Sequence, residues 1–175
     1  MQIFRYALCG VILSAVASMA LSLELETLAP CYTRSYSADH LAAQPAQNVT
    51  TLTLSLRIED GFAIARLTGT DRADRAGFLS FMCSESAPGL YDDGCNTLEG
   101  DSQIWVQPQQ HGEILVRTRN VFLSDIGQGI DYRDDIEGHY RFYLEEGPHS
   151  YEPNTGPFYT FRLNPADAEA CASAE

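Results

Sequence analysis

From Thr51 to Ile58 the chain alternates without a break, with Leu52, Leu54, Leu56 and Ile58 on one side and Thr51, Thr53, Ser55 and Arg57 on the other. Successive side chains of an extended strand point to opposite faces, so this period of two specifies a strand with one apolar and one wet face. Such a strand cannot bury its apolar face alone and must be covered by a second sheet or closed into a barrel. Glu59-Asp60-Gly61 turns it into a second run, Phe62 to Thr68.

Further β-type runs follow at GFLSFMC, SQIWVQ, EILVRTR with NVFLS, GHYRFYLEE and GPFYTFRL, punctuated by glycines that mostly sit beside Asp, Asn, Pro or His. Turn signals recur about every ten residues and no long segment has a period of 3.6. The expected fold is therefore all-β: a single antiparallel barrel, calycin-like, or a sandwich of about eight strands. A short C-terminal helix is predicted in NPADAEACA, with Asn164 as N-cap and Pro165 in the first helical position. Alternation assigns Tyr140, Phe142 and Leu144 to the core, together with Tyr159, Phe161 and Leu163.

Residues 1–22 carry Arg5, then an apolar run from about Ala7 to Leu21 and small residues at the end, the pattern of a secretory signal peptide. The run is shorter than the roughly 20 residues that span a bilayer core. Cleavage is expected after Ala20 or Ser22, and 23–175 is expected to form one domain, periplasmic or extracellular and not inserted in the membrane. The rest has 10 arginines, no lysine and 24 acidic residues, for a formal charge of −14. That field disfavours nucleic acid and anionic membrane surfaces. Without lysine there is no Schiff-base chemistry and no Walker-type phosphate loop.

Four cysteines follow residue 22: Cys31, Cys83, Cys95 and Cys171. An even count in an exported chain favours disulfides over metal ligation, and no CxxC or HxxxH spacing is present. Cys83 and Cys95 flank a Pro/Gly/Asp-rich loop and are expected to pair, leaving Cys31 for Cys171.

The stretch CYTRSYSADHLAAQPAQNV, with Cys31, His40, Leu41, Ala42, Pro45, Gln47 and Val49, resembles a set of small exported alphaproteobacterial proteins without assigned function. The likeness continues thinly through Cys83, Cys95, Gly100 and FYTFRL, and the segment from Ile130 to Thr155 departs from it. The resemblance implies a compact exported β-barrel and lends no activity.

Gly100-Asp101-Ser102 imitates an esterase nucleophile block, but it lies mid-chain before a strand, and no Asp-x-x-His follows. Without a base to take its proton, Ser102 is an ordinary hydroxyl in a hairpin. Asp125, Asp131, Asp134, Asp135 and Glu137 lie in the acidic stretch Ser124 to Gly138, a loop with the oxygen ligands calcium wants but without the EF-hand pattern. His40, His111, His139 and His149 are scattered, and His40 is expected to cap or pack the first loop. If the two C-terminal aromatic strands pair, Tyr143 and Phe158 come near Arg141 and Arg162, a cationic aromatic patch suited to an anionic or aromatic ligand.

The expected function is binding, by a monomer without a cofactor, of a small molecule or a protein, at the barrel mouth or the Ser124 to Gly138 loop; a cavity lined by Trp105 and tyrosines would favour a small ligand, a packed interior a protein partner. The alternatives are a hydrolase built from carboxylates and histidines, or a calcium module in the 124–138 loop.

Overall fold

The computed structural model describes residues 28–59, 62–83, 94–97, 102–125, 139–145 and 157–172. The segment read as a signal peptide lies outside them. Ten strands form one sheet: β1 (Cys31–Ser35), β2 (Val49–Glu59), β3 (Phe62–Asp71), β4 (Ala76–Cys83), β5 (Cys95–Asn96), β6 (Gln103–Pro108), β7 (Ile114–Arg119), β8 (Phe122–Ser124), β9 (Arg141–Tyr143) and β10 (Tyr159–Pro165). Each strand from β1 to β7 pairs antiparallel with the next, β7 pairs with β10, and β10 pairs with β1. The sheet therefore closes into an eight-stranded antiparallel barrel in which each of those strands has a paired neighbour on both sides.

Alternation decides what faces inward. On β2, Leu52 and Leu54 have no water-accessible surface, and neither do Ala65 and Leu67 on β3, Ile104 and Val106 on β6, or Ile114 and Val116 on β7. Tyr32, Phe81, Phe161 and Leu163 complete the filling from β1, β4 and β10. Burying each large apolar side chain contributes about 1.5–3 kcal/mol.

The remaining strands close one end. β8 continues β7 after Asn120, whose left-handed φ of 52° bends the chain, and pairs with β4 at Phe78–Ser124. β9 pairs with β8 and brings Phe142 and Leu144 over the core, as expected, with Leu123 beside them. Asn48 then ties this lid to the start of β2: its backbone N–H donates to Leu144 O at 2.9 Å and its Nδ2 to Tyr143 O at 3.0 Å.

Two helices flank the barrel. α1 (Ala38–Ala43) was not expected from the sequence; Ser37 caps it by accepting from His40 N–H. Arg72, in the β3–β4 turn, donates to Leu41 O at 2.8 Å, Gln44 O at 3.1 Å and Gln47 O at 2.8 Å, holding the helix and its exit from a distant point in the chain. α2 (Ala168–Ala172) is the predicted C-terminal helix, but Asn164 does not cap it. Asn164 and Pro165 belong to β10, paired with Thr33 and Tyr32, because the sheet offers their backbone more partners than an early helix start would.

Both expected disulfides form. Cys31–Cys171 ties α2 to the start of β1. Cys83 and Cys95 are directly opposed residues of β4 and β5, with Cα atoms 4.2 Å apart. Two disulfides are the bonding pattern of an oxidising, non-cytoplasmic compartment. Among the described residues no helix is long and apolar enough to cross a membrane.

Candidate functional site

Because Ile104 and Val106 point inward, Trp105 points outward, away from the barrel interior where a hollow fold would have used it. Its strand neighbour is Arg117 on β7, which is in turn opposite Thr160 on β10. Phe158, just before β10, meets Trp105 edge to face at a centroid distance of 5.3 Å. The Arg117 guanidinium lies 3.7 Å from the Phe158 ring centre and that of Arg119 4.1 Å, while Arg119 also stands 5.3 Å from the Trp105 ring. Gly94 underlies the indole: a Cβ there would sit 2.7 Å from Trp105 Nε1, and the glycine's φ of +72° is itself left-handed. The Arg119 pKa is lowered, first by burial and then by the charge of Arg117.

The patch expected from the sequence is divided. β9 pairs with β8 and not with β10, because β10 is already held between β7 and β1. Tyr143 therefore meets Phe122 at 6.0 Å, with Arg141 at 5.8 Å from the Phe122 ring. Phe158 and Trp105 do come together, with Arg117 and Arg119 as their cations. Arg162 lies further along β10, paired with Glu113 at 3.4 Å, and its carbonyl accepts from Arg34 at 3.2 Å. The alternation in LVRTR put Arg117 and Arg119 on the outward face, but only closure of the barrel selects their partners.

A second cluster gathers where α1 meets the lid. Tyr36 stacks on His40 with ring centres 5.0 Å apart, and His40 Nε2 and Gln47 Oε1 are 3.2 Å apart. His40 thus packs the first loop, as expected. Burial raises the Tyr36 pKa to about 12, with Arg34 opposing and Glu145 adding to the rise. The Glu145 carboxyl is itself pushed up by burial, and Tyr159 is raised by burial and by Glu145.

Of the acidic loop, Asp125 is described and Asp131, Asp134, Asp135 and Glu137 lie outside the described residues. Asp125 Oδ2 is 3.0 Å from His139 Nδ1, and its Oδ1 accepts from Tyr140 N–H at 3.3 Å. The hydrogen bond from His139 is the main cause of a lowered Asp125 pKa. Among the described residues no group of three or more His, Cys, Asp or Glu is arranged to hold a metal ion. Ser102 is 2% exposed and its hydroxyl donates to Asn120 O at 2.8 Å, so it faces the protein and not a substrate. His111 sits in a turn with φ of 67°, and His149 lies outside the described residues.

Fold and surface together define a disulfide-tied antiparallel β-barrel whose inward side chains are buried among the described residues, with an aromatic, arginine-bearing outer wall. No family model, curated protein or solved structure matches the chain.

Proposed function

We propose that the protein is exported to the periplasm or the cell exterior and acts there, as a monomer, by binding through its outer surface. The observation that supports this most is the complete burial of the inward-facing side chains among the described residues. Eight strands enclose an interior just wide enough for side chains to fill or for one small ligand. A ligand-sized void would give the inward side chains some accessible surface, yet Leu52, Leu67, Ile104 and Val116 have none. The outer wall, by contrast, displays Phe158 at 38% exposure beside Trp105 and two arginines, a composition typical of interface anchors. The hydroxyl and imidazole groups that would begin a hydrolytic reaction are used structurally at Ser102 and His40.

The test is a titration with long-chain fatty acids and retinoid-sized apolar ligands, followed by methyl NMR. The expected result is that the Leu52, Leu67 and Val116 methyl resonances stay in place. Saturable one-to-one uptake that shifts those methyls overturns the reading.

A further inference from the structure

We infer that the outer-wall patch of Trp105, Arg117, Arg119 and Phe158 is a docking site for a carboxylate-bearing, aromatic-flanked peptide segment of a partner protein. This assignment rests on the reading of the barrel as a surface binder. Three observations carry it, beginning with charge. Arg117 is exposed, and among the described residues no carboxylate pairs with it, in a chain whose formal net charge is −13. It lies close to Arg119, since both guanidiniums cover one phenyl ring at 3.7 and 4.1 Å. The exposed Arg117 guanidinium, without a carboxylate among the described residues, attracts an incoming anion. The Arg117 guanidinium, 3.7 Å from the Phe158 ring centre, has the planar fork of N–H donors that matches a carboxylate.

The second observation is shape and composition. Phe158 is one of two exposed large apolar side chains among the described residues, and its ring meets the Trp105 edge, so the cations surround an apolar contact surface. Thr160, opposite Arg117 on the neighbouring strand, is exposed and able to hydrogen-bond a peptide backbone. The third is the rest of the surface. A polyanion such as a nucleic acid or an anionic bilayer would meet the chain's overall negative field, whereas one or two carboxylates on a peptide meet only the patch. The opposite wall offers a weaker counterpart, with Arg66 3.9 Å from the Phe78 ring and Met82 43% exposed. A single guanidinium covers the ring there.

Trp105 is the only tryptophan in the chain and reports on the site directly. The probe is a short Gly/Ser peptide carrying one Phe-Glu-Glu motif, followed by Trp emission and by calorimetry. Saturable binding is expected, with a loss of about tenfold or more in affinity for the Phe-Gln-Gln peptide and for Arg117→Ala. Phe158→Ala is expected to weaken binding similarly, Arg117→Lys to restore part of it, and Arg66→Ala to change nothing. Equal binding of the Gln peptide, no binding at all, or a tighter response to tripolyphosphate or to phosphatidylglycerol vesicles overturns the inference. If Arg66→Ala weakens peptide binding and Arg117→Ala does not, this site is wrong while outer-surface binding stands. Uptake of apolar ligands into the core would instead remove the reading on which the inference rests.

Discussion

Gly69 and Gly77 are opposed across β3 and β4, and the lid strand β8 lies on the space their missing side chains leave. A Cβ on Gly77 would stand 3.0 Å from Ser124 N and 3.1 Å from Leu123 C and Cβ; one on Gly69 would stand 2.9 Å from Thr51 O. These are mostly backbone atoms and cannot swing aside. Gly77→Ala should therefore push β8 outward and loosen Leu123, at a cost of about 2–3 kcal/mol. In a domain of this size that lowers the melting temperature by roughly 5–10 °C. An unchanged urea midpoint would mean that the lid is not seated on the glycine pair.

Ser102 provides a second, smaller expectation. Its buried hydroxyl donates to Asn120 O at 2.8 Å, at the bend where β7 gives way to β8. Removing it should cost about 1–2 kcal/mol, the range for a buried hydrogen bond that loses one partner. If Ser102 were a nucleophile, Ser102→Ala would abolish turnover of a chromogenic ester with stability intact. The expected pattern is the reverse, with lower stability and no change in ester hydrolysis.

Two carboxylates should give the stability opposite slopes with pH. Burial alone would raise the Asp71 pKa, but the Arg75 guanidinium, with Nε at 2.7 Å, and the backbone N–H groups of Arg75 and Ala73 outweigh it and hold the pKa below the usual range. Asp71 thus contributes stability above its unfolded value near ~3.9 and loses it as pH falls through the folded value. Glu145 is raised by burial, so its folded form prefers the proton. Its contribution falls as pH rises from an unfolded value near ~4.3 through the raised folded one. Asp71→Asn should flatten the acid limb of a plot of urea midpoint against pH, and Glu145→Gln should stabilise at neutral pH with no gain in acid. A Glu145→Gln variant less stable than wild type at pH 7 would contradict the assignment.

Those strands were legible because one face of each is dry: Leu52 and Leu54, Phe161 and Leu163, and Phe142 and Leu144 all point where alternation put them. The disulfides were legible because pairing Cys83 with Cys95 across a short loop leaves one choice for the remaining two. α1 was not, since six residues carry too little period to read, and what holds the segment is Arg72, about 30 residues away. The patch was legible in its residue types and illegible in its membership. Trp105, Arg117 and Phe158 meet only because β6, β7 and β10 become neighbours when the barrel closes, a choice between pairings far apart in sequence. Arg141 and Tyr143 went elsewhere for the same reason.

The disulfides should differ in what they contribute. Cys31–Cys171 joins residues 140 apart and Cys83–Cys95 residues 12 apart. In the chain-entropy account the longer closure restricts the unfolded chain more, by roughly 5 kcal/mol against roughly 3. Native contacts point the same way for the long one: α2 has five residues, and Cys171 is its only buried side chain, so without the bond little keeps the helix on β1. β4 and β5 are paired by backbone as well as by sulfur, so that junction should survive reduction better. Cys31→Ser/Cys171→Ser is thus expected to lower the urea midpoint more than Cys83→Ser/Cys95→Ser, and alkylation of the folded, secreted wild type should find no free thiol among the four. The reverse order of midpoints would show that the short bond, and not the terminal tie, holds the barrel closed.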